Sequence, residues 1–132
     1  MLLELLLEVF SIRVRIKGYL ENITEKTKET IDVIGIKNKQ TLKYMYNDTK
    51  YNIDIQNNKI ILIRENDDFI HKFVFAQNKQ TDTIYYIKEY NTELTVSMIT
   101  NNLNIINDKI EIYYRIIDSN EEYKYLIEMR PE

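Results

Sequence analysis

The chain has 132 residues and a formal net charge of −3. That length suits one domain, and 44% hydrophobic with 30% charged residues is a globular balance that argues against disorder. The absence of cysteine excludes disulfides and thiolate metal sites, and the acidic balance gives no reason to expect nucleic acid, which asks for a basic face.

Residues 1–10 are apolar but for Glu4 and Glu8. They lack a basic n-region and a small-residue cleavage site, and the run is too short to span a bilayer. No targeting or integral membrane segment is therefore expected, and the chain reads as cytoplasmic. Leu2 to Leu7 fits a short helix, with Glu4 and Glu8 one turn apart, or an extension of the next strand. A helix that short must pack on something. Residues 1–8 would cap a barrel end or join the core, or else form a dimer contact or a membrane-surface foot.

From Phe10 the period is two, with Ile12, Val14 and Ile16 on one face and Arg13, Arg15 and Lys17 on the other. Gly18 permits a bend or bulge. A second strand is predicted from Lys28 to Ile36, with a bulge at Val33-Ile34 beside Gly35. Thr41 to Tyr46 makes a third; Tyr51, Ile53 and Ile55 mark a fourth. Lys59 to Arg64 is a fifth, and its run Ile60 to Ile63 suggests cover on both faces or a path across the barrel floor. Phe69 to Ala76 is a sixth, with Phe69, His71, Phe73 and Phe75 together on one face. Ile84 to Thr100 reads as two strands joined by a polar corner at Lys88 to Glu93, the second placing Leu94, Val96 and Met98 inward. Leu103 to Ile106 reads as a short strand of its own. Ile110, Ile112, Tyr114 and Ile116 mark the next, and Tyr123, Tyr125, Ile127 and Met129 the last.

With only two glycines and one proline, the corners must rely on Asn and Asp, which tolerate left-handed backbone. Asn57-Asn58, Asn66-Asp67-Asp68, Asn101-Asn102 and Asn107-Asp108 stand between apolar runs accordingly. Strand segments at about ten-residue spacing without a long helix predict an antiparallel sandwich or up-and-down barrel. A barrel removes exposed edges. The fold class expected is all-β, a single antiparallel barrel over residues 1–132 with roughly eight to ten strands.

Tyr86-Ile87-Lys88-Glu89-Tyr90-Asn91, followed by Leu94, Val96, Met98 and Thr100, resembles the YwiB-like family of small bacterial proteins of uncharacterised function. The family pattern is approximately Tyr-x-Thr-Pro-Tyr-Gly and then an alternating strand ending in Thr. Tyr86, Tyr90 and Thr100 match it; Lys88, Glu89 and Asn91 replace the Thr, Pro and Gly. Tyr46-Asn47-Asp48, Ile60 to Arg64, Phe75 and Ile110 to Tyr114 are similar to further family elements, so the likeness runs from about Val14 to Met129. It implies a calycin-like (lipocalin-like) barrel and no reaction. Calycin-like relatives often bind apolar molecules, an analogy of fold.

Catalytic chemistry has little support. His71 is the single histidine, which excludes a multi-His metal site, and it lacks an evident nucleophile and orienting partner. Glu65, Asp67 and Asp68 do not match a calcium loop and read as a solvated hairpin. Ser11, Ser97 and Ser119 lack the G-x-S-x-G setting. No catalytic residue, metal ligand or cofactor is expected. The eleven tyrosines are the compositional oddity, since an apolar body with a polar tip suits barrel walls and binding surfaces alike. Tyr46, Arg64, Tyr86 and Thr100, the family-matched polar residues near strand ends, are candidates for a ring around a pocket mouth; Met98 and Tyr114 are candidates for its lining. The leading expectation is non-enzymatic binding of a small, mostly apolar or amphipathic ligand. The alternative is a filled barrel that acts as a protein-interaction module through its outer surface or as a homodimer. Cavity volume separates the two.

Overall fold

The computed structural model describes residues 11–132, so the expectation for Leu2 to Leu7 lies outside the described residues. Ten strands follow in order: β1 (Ile12–Asn22), β2 (Thr27–Asn38), β3 (Thr41–Tyr46), β4 (Thr49–Gln56), β5 (Lys59–Glu65), β6 (Phe69–Ala76), β7 (Gln80–Ile87), β8 (Thr92–Ile106), β9 (Lys109–Ile116) and β10 (Glu122–Pro131). Each pairs antiparallel with its neighbours in sequence, and β10 returns to β1, closing the barrel. Among the described residues there is no helix.

Period-two patterning explains the wall. Val14, Ile16, Leu42, Ile53, Ile60, Leu62, Phe73, Phe75, Met98, Ile110, Ile112, Ile127 and Met129 point inward and form one core. Arg13, Arg15 and Lys17 point to solvent, where Arg13 pairs with Glu132 at 2.9 Å and Arg15 with Asp32 at 3.0 Å. Leu94, expected inside with Met98, is half exposed because its end of β8 runs past the packed interior. Ile61 and Ile63 are half-buried on the outer side of β5, so the Ile60 to Ile63 run lies in the wall and does not cross the floor.

The corners use the residues the composition left available. Asn47, Asp48, Asn58, Asn78, Asn91, Asn107 and Asn120 all hold positive φ, as do Lys26 and Lys39. Asn66 works differently, accepting the amides of Asp68 and Phe69 on its side chain, an Asx turn. Asn101-Asn102 is not a corner. It is a register shift inside β8, which carries Leu103 to Ile106 onward as the same strand.

Neither glycine has positive φ. Both serve close approach. A Cβ on Gly18 would lie 2.0 Å from the Leu126 carbonyl oxygen, and one on Gly35 would lie 2.6 Å from the Lys43 oxygen. The β1–β2 register runs unbroken past both, so the bulge expected at Val33-Ile34 is absent. The strands on either side of Gly18 and Gly35 are instead drawn tightly together where the barrel closes.

Candidate functional site

One row of inward residues differs from the rest of the interior. Tyr44, Tyr51, Arg64, His71 and Tyr85 stand in direct register on β3, β4, β5, β6 and β7. Tyr44 and Tyr51 stack with centroids 4.7 Å apart. The Arg64 guanidinium carbon lies 5.7 Å from the Tyr51 ring centre and 5.2 Å from that of Phe69. These are cation–π distances.

The row borders a recess at one end of the barrel, lined by Tyr44, Tyr46, Tyr51, Arg64, Tyr114 and Tyr125, with Phe73 and Phe75 beneath and Glu29 and Ile31 at the β2 side. The space open to water centres is 50 Å³, enough for a few waters. Deeper in, between Ile53, Ile60, Ile110 and Ile127, it falls to 10 Å³. The barrel is thus filled with side chains except near this end.

The polar groups around the recess are unequally satisfied. The hydroxyls of Tyr44 and Tyr125 are 2.8 Å apart and share a hydrogen bond. Burial raises the pKa of both, as it does for Tyr51 and Tyr114, against the opposing pull of the Arg64 charge. All four are neutral donors at physiological pH. Tyr46 reaches across from β3 to donate to the Thr30 carbonyl at 3.3 Å, spanning the stretch where β2 and β3 no longer pair. Arg64 is the exception. Its Nε is buried with no hydrogen-bond partner, and Arg64 forms no ion pair among the described residues. A buried donor without an acceptor is costly, so an acceptor placed in the recess would be bound well.

His71 has a structural set of partners. Thr83 Oγ1 donates to the Lys72 carbonyl at 2.9 Å, so it accepts from His71 Nε2, also at 2.9 Å. The ring lies 4.0 Å from Phe73 by centroids. Burial, helped by the nearby Arg64 charge, pulls the His71 pKa down to about 4. The imidazole is therefore neutral near pH 7. Among the described residues no group of three His, Asp or Glu side chains could hold a metal ion.

Of the six residues named from sequence, the recess brings together Tyr46, Arg64 and Tyr114. Met98 and Thr100 are both fully buried, away from the recess. Tyr86 sits at the corner after β7, where its hydroxyl donates to Asn91. Tyr44, Tyr51 and Tyr125 went unnamed as site residues. The signal available for them was their place on inward faces, Tyr51 with Ile53 and Tyr125 with Ile127.

Comparison with known proteins locates the fold. No family model matches the chain, and no curated protein matches it. The crystal structure of the ywiB protein from Bacillus subtilis superposes with a TM-score of 0.69 at 12% sequence identity, over 93% of this chain and 92% of that one. At that identity the likeness is one of fold: a YwiB-like barrel. Among the described residues no helix is long and apolar enough to cross a membrane.

Proposed function

We propose that this barrel is a non-enzymatic binding protein whose tyrosine-lined recess takes a small, mostly apolar molecule with a single anionic group. The observation that carries this reading is Arg64, whose buried Nε lacks an acceptor beside open space. A ligand carboxylate would supply that acceptor and accept from the guanidinium in a charge-assisted bond. The rings of Tyr44, Tyr51 and Phe73 offer apolar faces to the ligand body. Two features narrow the class. The filled interior leaves no room for a long acyl tail, so the body is short. Glu29 at the rim disfavours a second negative charge, so a monoanion is preferred over a dianion such as a phosphate monoester.

The test is a thermal-shift and amide-resonance titration with short aromatic carboxylates against their neutral amides. The carboxylates should raise Tm and shift the resonances of Tyr51, Arg64 and His71, the amides much less. Arg64→Ala should abolish the difference while the barrel stays folded. Equal responses to acid and amide, or none from either, would sink the reading.

A second reading has its own observation. Ile34, Ile36 and Met45 are exposed together on the outer wall, which favours a surface that something covers.

A further inference from the structure

We propose that this outer face is covered by the chain's own residues 1–10, docked in a groove across β1 to β5. The groove is built from two adjacent rows of outward residues. One runs Arg13, Ile36, Lys43, Asn52 and Ile63 in direct register across the five strands. The other, one pleat along, contains Ile34, Met45, Lys50 and Glu65. Ile34, Ile36 and Met45 are 41%, 50% and 53% exposed, and Ile63 adds a half-buried floor. These apolar side chains adjoin one another on a wall whose other outward positions, such as Arg15, Lys17 and Asp32, are charged and solvated.

Three observations select the occupant. The first is position. Ile12, the first residue of β1, is in register with Lys37, next to Ile36, so residues 1–10 leave the barrel at the edge of the groove. The second is length. Five strands at about 4.8 Å spacing make the groove about 19 Å wide, and ten residues reach about 34 Å extended. A tether this short also holds the segment at a high local concentration, which a second copy or another protein would have to exceed. The third is chemistry. The segment offers Leu2, Leu3, Leu5, Leu6, Leu7, Val9 and Phe10 with only Glu4 and Glu8 charged. The groove offers an apolar middle with Lys43 and Lys50, neither of which forms an ion pair among the described residues. Apolar side chains of the segment cover the isoleucines, and the glutamates meet the lysines.

The absence of native cysteine makes the test clean. A nitroxide on Leu6→Cys of the full chain, and separately on Val9→Cys, should broaden the amide signals of Ile34, Ile36, Met45 and Ile63. The amides of Asp82 and Ser97, on another part of the outer wall, should stay sharp. Lys43→Glu with Lys50→Glu should reduce the broadening, and adding Glu4→Lys with Glu8→Lys should restore it. Broadening absent from the groove for both labels would overturn the proposal. So would broadening seen only between labelled and unlabelled copies, which would make a second copy the occupant. A charge reversal that fails to restore the signal would remove the pairing on which the choice of occupant rests.

Discussion

Leu42, Ile53, Leu62 and Phe73 face one another across four strands, and one pleat along the same strands stand Tyr44, Tyr51, Arg64 and His71. Both rows point inward and both obey period two. The first row packs into a filled interior. The second keeps space beside it because each of its polar tips needs a partner, and a tip without one keeps the neighbourhood open to water or ligand. Tyr44 finds Tyr125, and His71 finds Thr83. Arg64 Nε finds none. A strand pattern therefore assigns the inside of a barrel, while the residue types along it decide which level is scaffold and which is site.

The sharpest way to break this contrast is to truncate one residue from each row. Leu62→Ala should cost about 2–5 kcal/mol, as large-to-small changes in a packed core do. Arg64→Ala should cost about 1 kcal/mol or less, because the lost cation–π contact is offset by removal of an unsatisfied donor. Urea titration of both variants decides it. An Arg64→Ala loss as large as that of Leu62→Ala would make the second row scaffold too. A smaller effect is expected at Tyr125→Phe, which strands the buried Tyr44 hydroxyl and should cost about 1–3 kcal/mol. Tyr44→Phe with Tyr125→Phe should recover part of that loss; additive losses would show that the two hydroxyls do not act as a pair.

The smallest effect is one of pH. His71 binds a proton less readily in the folded chain, at about 4, than the ordinary value of 6.5. The unfolded chain therefore takes up the proton first, and stability present above pH 6.5 declines as pH falls toward 4. Partial exposure of the ring keeps this contribution modest. Midpoints of urea unfolding measured across that range should lose part of their acid slope in His71→Gln. An unchanged slope would assign acid sensitivity to the carboxylates.

Much of this was legible in the sequence, and the misses share a physical origin. Alternation located the ten strands and the inward sets Tyr51–Ile53–Ile55 and Ile110–Ile112–Tyr114, because a half-buried wall imposes period two. The scarcity of glycine pointed to Asn and Asp as turn residues. Asn101-Asn102 misled because a bulge and a corner both tolerate polar residues. Gly18 and Gly35 misled because close approach depends on the neighbouring strand, which local sequence does not name. The site was legible only in part for the same reason. Whether an inward tyrosine reaches the recess depends on the level at which its strand is registered with the others. Tyr46, Arg64 and Tyr114 fell at the open level, and Met98 and Thr100 fell within packed core.

Closure by the first and last strands has a consequence for how the chain reaches this state. Every other pairing joins consecutive strands, so the meander can zip from one hairpin to the next. The β1–β10 seam instead joins residues as far as 119 positions apart, and its loop-closure entropy must be met in a late step. We expect the seam to be unformed in the folding transition state. A substitution that weakens the seam without blocking it, such as Ile127→Val, should then speed unfolding and leave the folding limb of a chevron nearly unchanged. Slowed folding would place the seam in the nucleus. On this view the resistance of the folded barrel to proteolysis and heat is governed at that one seam, as a rate rather than an equilibrium.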